Sequence, residues 1–249
     1  MIVLKTSREL SIMKEAGRIS AAALKLAGEA VEPGVTTAEI DRLAEKYIRS
    51  QGAVPNFKGY GGFPATACIS INSEVIHGIP SKKRVIRAGD IVSIDLGAVF
   101  EGYNGDNAAT FAAGDVSDEA KALMDATRES LYEGIRMAKA GNRIGDISAA
   151  VQRYVEARGY SVVRQFVGHG VGTSLHEAPE VPNFGTPGHG IRLLPGMTLA
   201  IEPMINAGTE KVKTLADGWT VVTLDGKLSA HFEHSVAITA EGPQILTLA

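Results

Sequence analysis

Features that direct a chain to a disulfide scaffold, a nucleic acid or a membrane are missing from this sequence. Cys68 is the single cysteine in 249 residues, which excludes an internal disulfide and a zinc site built from several cysteines. Lys and Arg total 25 against 28 Asp and Glu, and no basic block attracts nucleic acid or anionic lipid. No apolar run reaches the roughly 18 residues of a membrane helix. A reducing, cytoplasmic setting without export signal or anchor is therefore expected.

The composition is that of a folded protein. The chain is 45% hydrophobic and 21% charged, near the average for globular domains. Its length exceeds the usual single domain, yet one unit of this size can still enclose a continuous core. Length alone leaves one or two domains open.

Two parts of the chain match each other at a constant offset of 107 residues (141 − 34 = 107). Residues 34–40 align with 141–147, and 88–95 with 195–202, with Asp95 or Glu202 ending the longer segment. Taken singly, these two acids would be ordinary solvated residues, an interpretation that the duplication weakens. The repeat predicts two homologous halves, roughly 8–114 and 118–242, related by a pseudo-twofold axis.

Each half is predicted to begin with two helices and to continue into strands. Apolar spacing and helix breakers predict helices at 8–32, 37–51, 118–140 and 144–158. Thr37 is the predicted N-cap of the second helix, and Gly52 its stop. Alternation over 91–97 predicts a strand in which Asp95 lies on the face of the small residues.

A hairpin over residues 95–111 would bring two aspartates together. If Glu101-Gly102 forms its turn, Phe100 faces Tyr103 and Gly97 faces Asp106. Asp95 shares the face of Gly97, so the two aspartates become diagonal neighbours about 7 Å apart.

Four acids and one imidazole form the candidate metal site: Asp95, Asp106, His169, Glu202 and Glu233. Two cations about 3.5–4 Å apart need shared oxygens, which carboxylates supply. Without cations the acids would repel and raise one another's pKa, so the cluster is expected to hold metal. The oxygen-rich set favours Mn, Fe(II) or Co over a thiolate-selecting zinc site.

Two of these assignments depend on local context. His169 lies in a glycine-rich loop and has an alternative interpretation as a turn residue. Glu233 is predicted on a strand after an Asp225-Gly226 hairpin turn, with His231 on the same face. His234 points the other way and is predicted to be structural rather than a ligand.

Short motifs in a fixed order resemble those of the type I methionine aminopeptidases and cover nearly the whole chain: Cys68–Asn72 leading to His77–Pro80, Asp90–Asp95, Gly168–Gly172, Ile201–Met204 and Phe232–His234. The resemblance implies an α+β fold of the pita-bread (creatinase/aminopeptidase) type. In that fold two pseudo-twofold-related halves form a curved antiparallel sheet with helices on its outer face. It also implies a single catalytic domain over residues 1–249.

The activity implied by the resemblance is metal-dependent hydrolysis of the first peptide bond. It would remove the initiator methionine from nascent proteins, at the ribosome, and from small peptides when the second residue is small. The implied cofactors are two divalent metal ions per chain, Co, Mn, Fe(II), Zn or Ni. A monovalent cation near Asn72 and Ser229 and a monomeric state are further expectations.

The resemblance also implies roles for the five ligands. Asp95 would hold one ion with both oxygens and His169 and Glu202 the other, while Asp106 and Glu233 bridge. Water activated by the ions would attack the substrate carbonyl, with Glu202 as the proton shuttle.

Substrate contacts follow from the same resemblance. His77 and His176 would contact the substrate and stabilise the tetrahedral intermediate. The implied methionine pocket and substrate contacts comprise Tyr60, Phe63, Cys68, His77, His176, Met204 and Trp219. Without the resemblance these residues would be interpreted as ordinary packing. The chain departs from common family residues at Phe57, Asn104 and Leu175, which puts the pocket shape in question.

Two alternatives remain open. An Xaa-Pro aminopeptidase or dipeptidase has the same fold, but the Cys68–Asn72 segment resembles the methionine class. A binding protein that kept the fold and lost catalysis would typically have lost ligands, whereas all five are present here.

Overall fold

The helices begin within one residue of their predicted starts and end slightly earlier than predicted. In the computed structural model, which describes residues 2–249, the helices are α1 Ser7–Glu29, α2 Thr37–Ser50, α3 Asp118–Met137 and α4 Ile144–Glu156. They end one to three residues before the predicted ends, within the expected fraying of helix termini. None of the helices described combines the length and apolarity needed to cross a membrane.

The N-cap of α2 corrects the sequence prediction by one residue. The cap is Thr36, not Thr37: Thr36 Oγ1 accepts from Glu39 N at 3.3 Å, and the Glu39 carboxylate accepts from Thr36 N at 2.8 Å. This reciprocal capping box requires the acid three residues after the cap, and only Thr36 has that spacing. Thr37 is the first helical residue, and its hydroxyl donates to the Ser81 carbonyl instead.

The strands form one large sheet and two small ones. Within the described residues they are β1 Val54–Pro55, β2 Ala67–Ile71, β3 Glu74–Ile76, β4 Ile91–Phe100, β5 Tyr103–Ala112, β6 Ser161–Val162, β7 Gly168–Gly170, β8 Glu177–Val181, β9 Thr198–Ile201, β10 Met204–Asn206, β11 Val212–Thr214, β12 Val221–Thr223, β13 Ser229–His231, β14 Glu233–Ile238 and β15 Pro243–Ile245. A 3-10 turn covers Tyr60–Gly62. The large sheet runs β1-β4-β5-β14-β9-β7-β8, with β2 beside β4 and β15 beside β14, and its pairs are antiparallel.

The β4–β5 hairpin has the predicted register. Phe100 pairs with Tyr103 and Gly97 with Asp106. Glu101 (φ 47°) and Gly102 (φ 83°) both take the left-handed conformation, as a two-residue turn matching the strand twist requires. The apolar residues of β4 pack into a core shared with α1 and α2, so its opposite face is left for Asp95.

The predicted Asp225-Gly226 hairpin is wrong. β12, before this turn, pairs with β3 and β11, whereas β13, after it, pairs with β10 in another sheet. The turn therefore joins two sheets. Phe232 lies between β13 and β14 and belongs to neither strand. His231 is therefore the last residue of a strand in a small sheet, whereas Glu233 is the first residue of a strand in the large sheet.

Backbone contacts recur at the 107-residue offset. Gly34 N donates to Ile86 O at 2.8 Å, and its counterpart Gly141 N donates to Leu193 O at 3.0 Å. The two glycines have φ of 96° and 95°, a conformation that glycine adopts without strain. These equivalent contacts support the proposal of an internal repeat.

α1 lies directly on the hairpin. A Cβ atom on Gly105 of β5 would lie 2.5 Å from Gly17 N and 2.6 Å from Ala16 C of the helix, closer than real Cβ contacts come. Glycine at position 105 thus permits the close approach of α1 that covers one face of the sheet. In the second half, residues of α3 and α4 pack in a second core with β9 and β14.

Candidate metal and substrate site

Nearly all candidate residues line one cavity of about 200 Å³: Phe57, Tyr60, Phe63, Cys68, His77, Asp95, Asp106, His169, Leu175, His176, Glu202, Trp219 and Glu233. The five expected metal ligands are among them, as are both expected catalytic histidines. One part of the wall is acidic and the other aromatic and aliphatic. A charged centre therefore adjoins an apolar pocket.

Five adjacent strands, in the order β4-β5-β14-β9-β7, bring the expected ligands together. β14 lies between β5 and β9, pairing Glu233 with Ala108 on one side and His234 with Ile201 on the other. β7 pairs with β9, so His169 lies opposite Ala200. Glu202 follows the last residue of β9. Residues distant in sequence thus converge because their strands are neighbours in one sheet.

Two overlapping groups of side chains have the spacing of a metal site. Asp106, His169 and Glu233 offer ligand atoms within 4.8 Å of one another, and so do Glu202, His231 and Glu233. His169 Nε2 lies 3.5 Å from Glu202 Oε1 and 3.9 Å from Asp106 Oδ2. Asp95 lies outside both groups but lines the same cavity.

The clustered acids lie in an environment that disfavours their negative charge. Asp95 Oδ1, Asp106 Oδ1 and Glu233 Oε1 are buried without a hydrogen-bond partner. Burial raises the pKa of Asp106 to about 7. Burial, followed by the neighbouring acid charges, raises the pKa of Asp95, Glu202 and Glu233 well above their ordinary values. Divalent cations would both partner these oxygens and remove the repulsion, so the residues fit such ions.

His169 is prepared to act as a ligand through one nitrogen. Its Nδ1 donates to the Gly170 carbonyl at 2.8 Å, which leaves the Nε2 lone pair facing the acids. Burial lowers the pKa of His169 to about 4, so the imidazole is neutral near pH 7. The interpretation as a mere turn residue does not account for this orientation.

The two other expected histidines lie on different sides of the cavity. The His176 ring lies 4.1 Å from that of His169, and its Nδ1 is 2.7 Å from the Tyr60 hydroxyl. His77 takes a left-handed conformation (φ 59°), unusual outside glycine and typical of strained functional positions. Its ring meets the edge of Trp219 at 6.2 Å, and burial lowers its pKa to about 4.

The apolar wall is a compact cluster beside the acids. Phe63 and Trp219 pack edge to face at 5.1 Å. Cys68 of β2 pairs directly with Asp95 of β4, so the pocket floor adjoins the charged centre. Two positions that depart from common family residues, Phe57 and Leu175, pack into this cluster.

Met204 does not line the cavity, which corrects its predicted place in the pocket. It is fully buried in a separate cluster with Ile76, Val163 and Val221. Met204 follows Pro203 and is the first residue of β10. Because β10 pairs with β13, Met204 lies opposite His231 in a small sheet. Asn104, the third departure, is also outside the wall. Its side chain donates to the Gly172 carbonyl at 2.9 Å.

Sequence reasoning assigned no role to His231, which the structure places at the site. Its side chain is 1% exposed, and Nε2 lies 3.5 Å from Glu202 Oε2. The available signal was the alternation that puts His231 on the face of Glu233. His234 instead places Nδ1 2.8 Å from the Thr247 hydroxyl, away from the acids.

The residues expected beside a monovalent cation are in contact. Ser229 N donates to the Asn72 carbonyl at 2.9 Å, and Asn72 adopts φ 56°. The cation itself stays a prediction.

Comparison with known proteins identifies the class that this fold and site define. The sequence model of metallopeptidase family M24 matches residues 11–240, and the chain belongs to this family. Within it, the chain is 56% identical to a methionine aminopeptidase of Clostridium acetobutylicum over 100% of this chain and 99% of that protein. It superposes with a TM-score of 0.99 on the crystal structure of a Thermotoga maritima methionine aminopeptidase, at 46% identity with full coverage of both chains. The resemblance and the pita-bread fold are confirmed.

The Xaa-Pro alternative has the fold but a weaker match. A Bacillus anthracis Xaa-Pro dipeptidase is 28% identical, with a TM-score of 0.75 over 99% of this chain and 62% of that one. The methionine class is favoured over it on both identity and coverage.

Proposed function

We propose that this chain is an aminopeptidase that removes N-terminal methionine from peptides and nascent proteins whose second residue is small, using two divalent metal ions. The observation that carries the proposal is the group of buried, unpartnered carboxylate oxygens beside an aromatic pocket. Near-complete coverage by relatives named methionine aminopeptidases supports the substrate assignment.

The ligand roles follow from position. Glu233 belongs to both metal-compatible groups, which suits a bridge between two ions. Asp106, which shares one of those groups with His169, would be the second ligand common to both ions. Asp95 would complete one ion's shell, with His169 and Glu202 completing the other's. When bound, the ions polarise the substrate carbonyl and lower the pKa of water.

The remaining steps belong to the side chains of this protein. Glu202 would accept the proton of the attacking water and deliver it to the leaving amine, since its carboxylate lines the cavity beside the other acids. His176 and His77 face the cavity, where an imidazole N–H can donate to the developing oxyanion. Tyr60 orients the His176 ring through its hydroxyl.

The apolar wall would select the first side chain of the substrate. An unbranched thioether fits a pocket of aromatic rings and the Cys68 sulfur, because sulfur packs favourably against ring edges. A charged side chain would lose its hydration there without gaining a partner. We further propose Mn, Fe(II), Co, Zn or Ni as the metal, and a monomer acting in the cytoplasm on chains emerging from the ribosome.

The test is reconstitution of metal-free protein. Apoprotein prepared without oxygen is loaded with Mn, Fe(II) or Co and assayed on Met-Ala-Ser and on an Ala-Pro peptide. We expect metal-dependent release of methionine and little cleavage of Ala-Pro. Preference for Ala-Pro would favour the Xaa-Pro alternative, and inactivity with every metal would favour a binding protein without catalysis.

A further inference from the structure

His231 is a buried side chain for which the five-ligand site has no use. It is 1% exposed, and its Nε2 has no hydrogen-bond partner. A buried polar atom left unpaired is unfavourable, so we expect Nε2 to have a partner in the working protein. The nearest acid is Glu202, with Oε2 at 3.5 Å from Nε2.

The backbone of His231 is firmly held. The Thr110 hydroxyl of β5 accepts from His231 N at 2.9 Å and lies 2.9 Å from His231 O. The same hydroxyl lies 2.8 Å from that of Ser93 on β4. These hydrogen bonds hold β13 against the β4–β5 hairpin and fix the backbone from which the His231 imidazole approaches Glu202.

The two oxygens of Glu202 face different imidazoles. Oε1 lies 3.5 Å from His169 Nε2, on the side of the metal-compatible group, and Oε2 lies 3.5 Å from His231 Nε2. A carboxylate that both ligates a metal and moves a proton needs its orientation fixed from outside the metal shell. His231 occupies that outside position.

We propose that His231 is a positioning residue for Glu202: its Nε2–H donates to Oε2 and directs Oε1 toward His169 and the metal. This inference rests on the proposed function, because it assigns the residue that holds the proposed proton shuttle. Ligation of a metal by His231 itself is the competing role, since the imidazole also belongs to a metal-compatible group.

Three variants separate these roles. His231→Gln keeps an N–H donor near the position of Nε2, whereas His231→Leu removes it at similar bulk. His234→Leu is the matched control, because it removes a half-buried histidine from β14, the next strand in the chain, outside the cavity. Each apoprotein is titrated with Mn²⁺ by calorimetry, and kcat on Met-Ala-Ser is measured against pH.

The expected result is a weaker Mn²⁺ affinity in His231→Leu by about 10–100-fold, the usual loss when a ligand-orienting residue is removed. Its kcat profile should shift to higher pH on the acidic side, since a carboxylate without its donor has a higher pKa. His231→Gln should retain most of the affinity and the wild-type profile, and His234→Leu should change neither. Thermal melting of each apoprotein checks folding, with His231→Met replacing His231→Leu if the latter does not fold.

Two outcomes would overturn the proposal. Wild-type affinity and profile in His231→Leu would show that the imidazole orients nothing. Equal losses in His231→Gln and His231→Leu would show that an imidazole nitrogen ligates the metal. If the wild-type protein bound no Mn²⁺, the proposed function would fail first; Mn²⁺ binding unaffected by His231→Leu would remove this inference alone.

Discussion

The two halves of the chain build the candidate metal centre in different ways. In the first half, Asp95 and Asp106 lie on a single hairpin whose strands are ten residues each. In the second half, His169, Glu202 and Glu233 lie on or just after strands of three, four and six residues, separated by long connections. Local pairing positions the first pair of ligands, whereas non-local strand order positions the other three.

The electrostatic cost is nonetheless shared between the halves. Carboxylate oxygens without partners come from the hairpin, in Asp95 and Asp106, and from the second half, in Glu233. Burial raises the pKa of all three acids, and the charges of neighbouring acids raise those of Asp95 and Glu233 further. The halves differ in assembly, but the same cations would neutralise acids from both.

The largest expected effect comes from removing one bridging acid from each half. Asp106→Asn and Glu233→Gln keep the side-chain shape but lose the charge shared between the ions. We expect each to lower kcat on Met-Ala-Ser by more than about 1000-fold, beyond the loss of a single oxyanion donor. Metal content after dialysis should fall in parallel.

The exposed Glu101 at the tip of the same hairpin provides the control, and Glu101→Gln should keep wild-type turnover. A wild-type rate in either bridging variant would refute the bridging assignment for that half.

The next largest effect compares His176, in the second half, with Tyr60, its hydrogen-bond partner in the first half. His176→Ala should lower kcat by about 100-fold and raise KM less, since its donor acts mainly in the transition state. Tyr60→Phe removes only the hydroxyl that orients His176 and should cause a smaller fall in kcat. A loss confined to KM would instead assign His176 to substrate binding.

The pH dependence of the apoprotein's stability tests whether ionisation of the buried acids destabilises the fold. Asp106 binds its proton more tightly in the folded apoprotein than when unfolded, where its pKa is near 3.8, so its stabilisation is lost as pH rises through about 7. The buried histidines have lowered pKa values and act in the opposite direction, but they finish titrating near their ordinary value of 6.5. Between pH 6.5 and 8 the acids dominate, and Asp106 alone should cost roughly 1 kcal/mol.

Thermal melting of the apoprotein at these two pH values measures the effect. The melting temperature should fall at the higher pH, less so in Asp106→Asn, and hardly at all with saturating Mn²⁺. A melting temperature that rises between these two pH values would contradict the raised pKa of the buried acids.

The smallest expected effect compares equivalent helix starts. Thr36 caps α2 with its side chain, whereas its counterpart Arg143, 107 residues later, precedes α4 without a side-chain cap bond. Thr36→Ala should lower the free energy of unfolding by about 1 kcal/mol, and Arg143→Ala by clearly less. Urea denaturation measures both, and equal losses would remove the difference between the halves.

The contrast between the halves also explains which structural features could be predicted from the sequence. The hairpin register was predictable because a two-residue turn and a period of two fix every pair from Phe100–Tyr103 to Gly97–Asp106. The Asp225-Gly226 turn failed because turn chemistry does not reveal whether the next strand returns to the same sheet. Met204 was misplaced for a similar reason, since the small sheet of β10 buries it elsewhere.

By itself the sequence determined the helix starts to within one residue and the β4–β5 hairpin, and it predicted the five acidic and imidazole side chains proposed as ligands, because each depends on neighbouring residues or on a recognisable motif. Only the tertiary structure decided the order β5-β14-β9-β7, the packing of the aromatic pocket wall and the approach of His231 to Glu202. Those features depend on contacts between segments far apart in the chain, whose pairing is selected by burial of the whole core and not by local propensity.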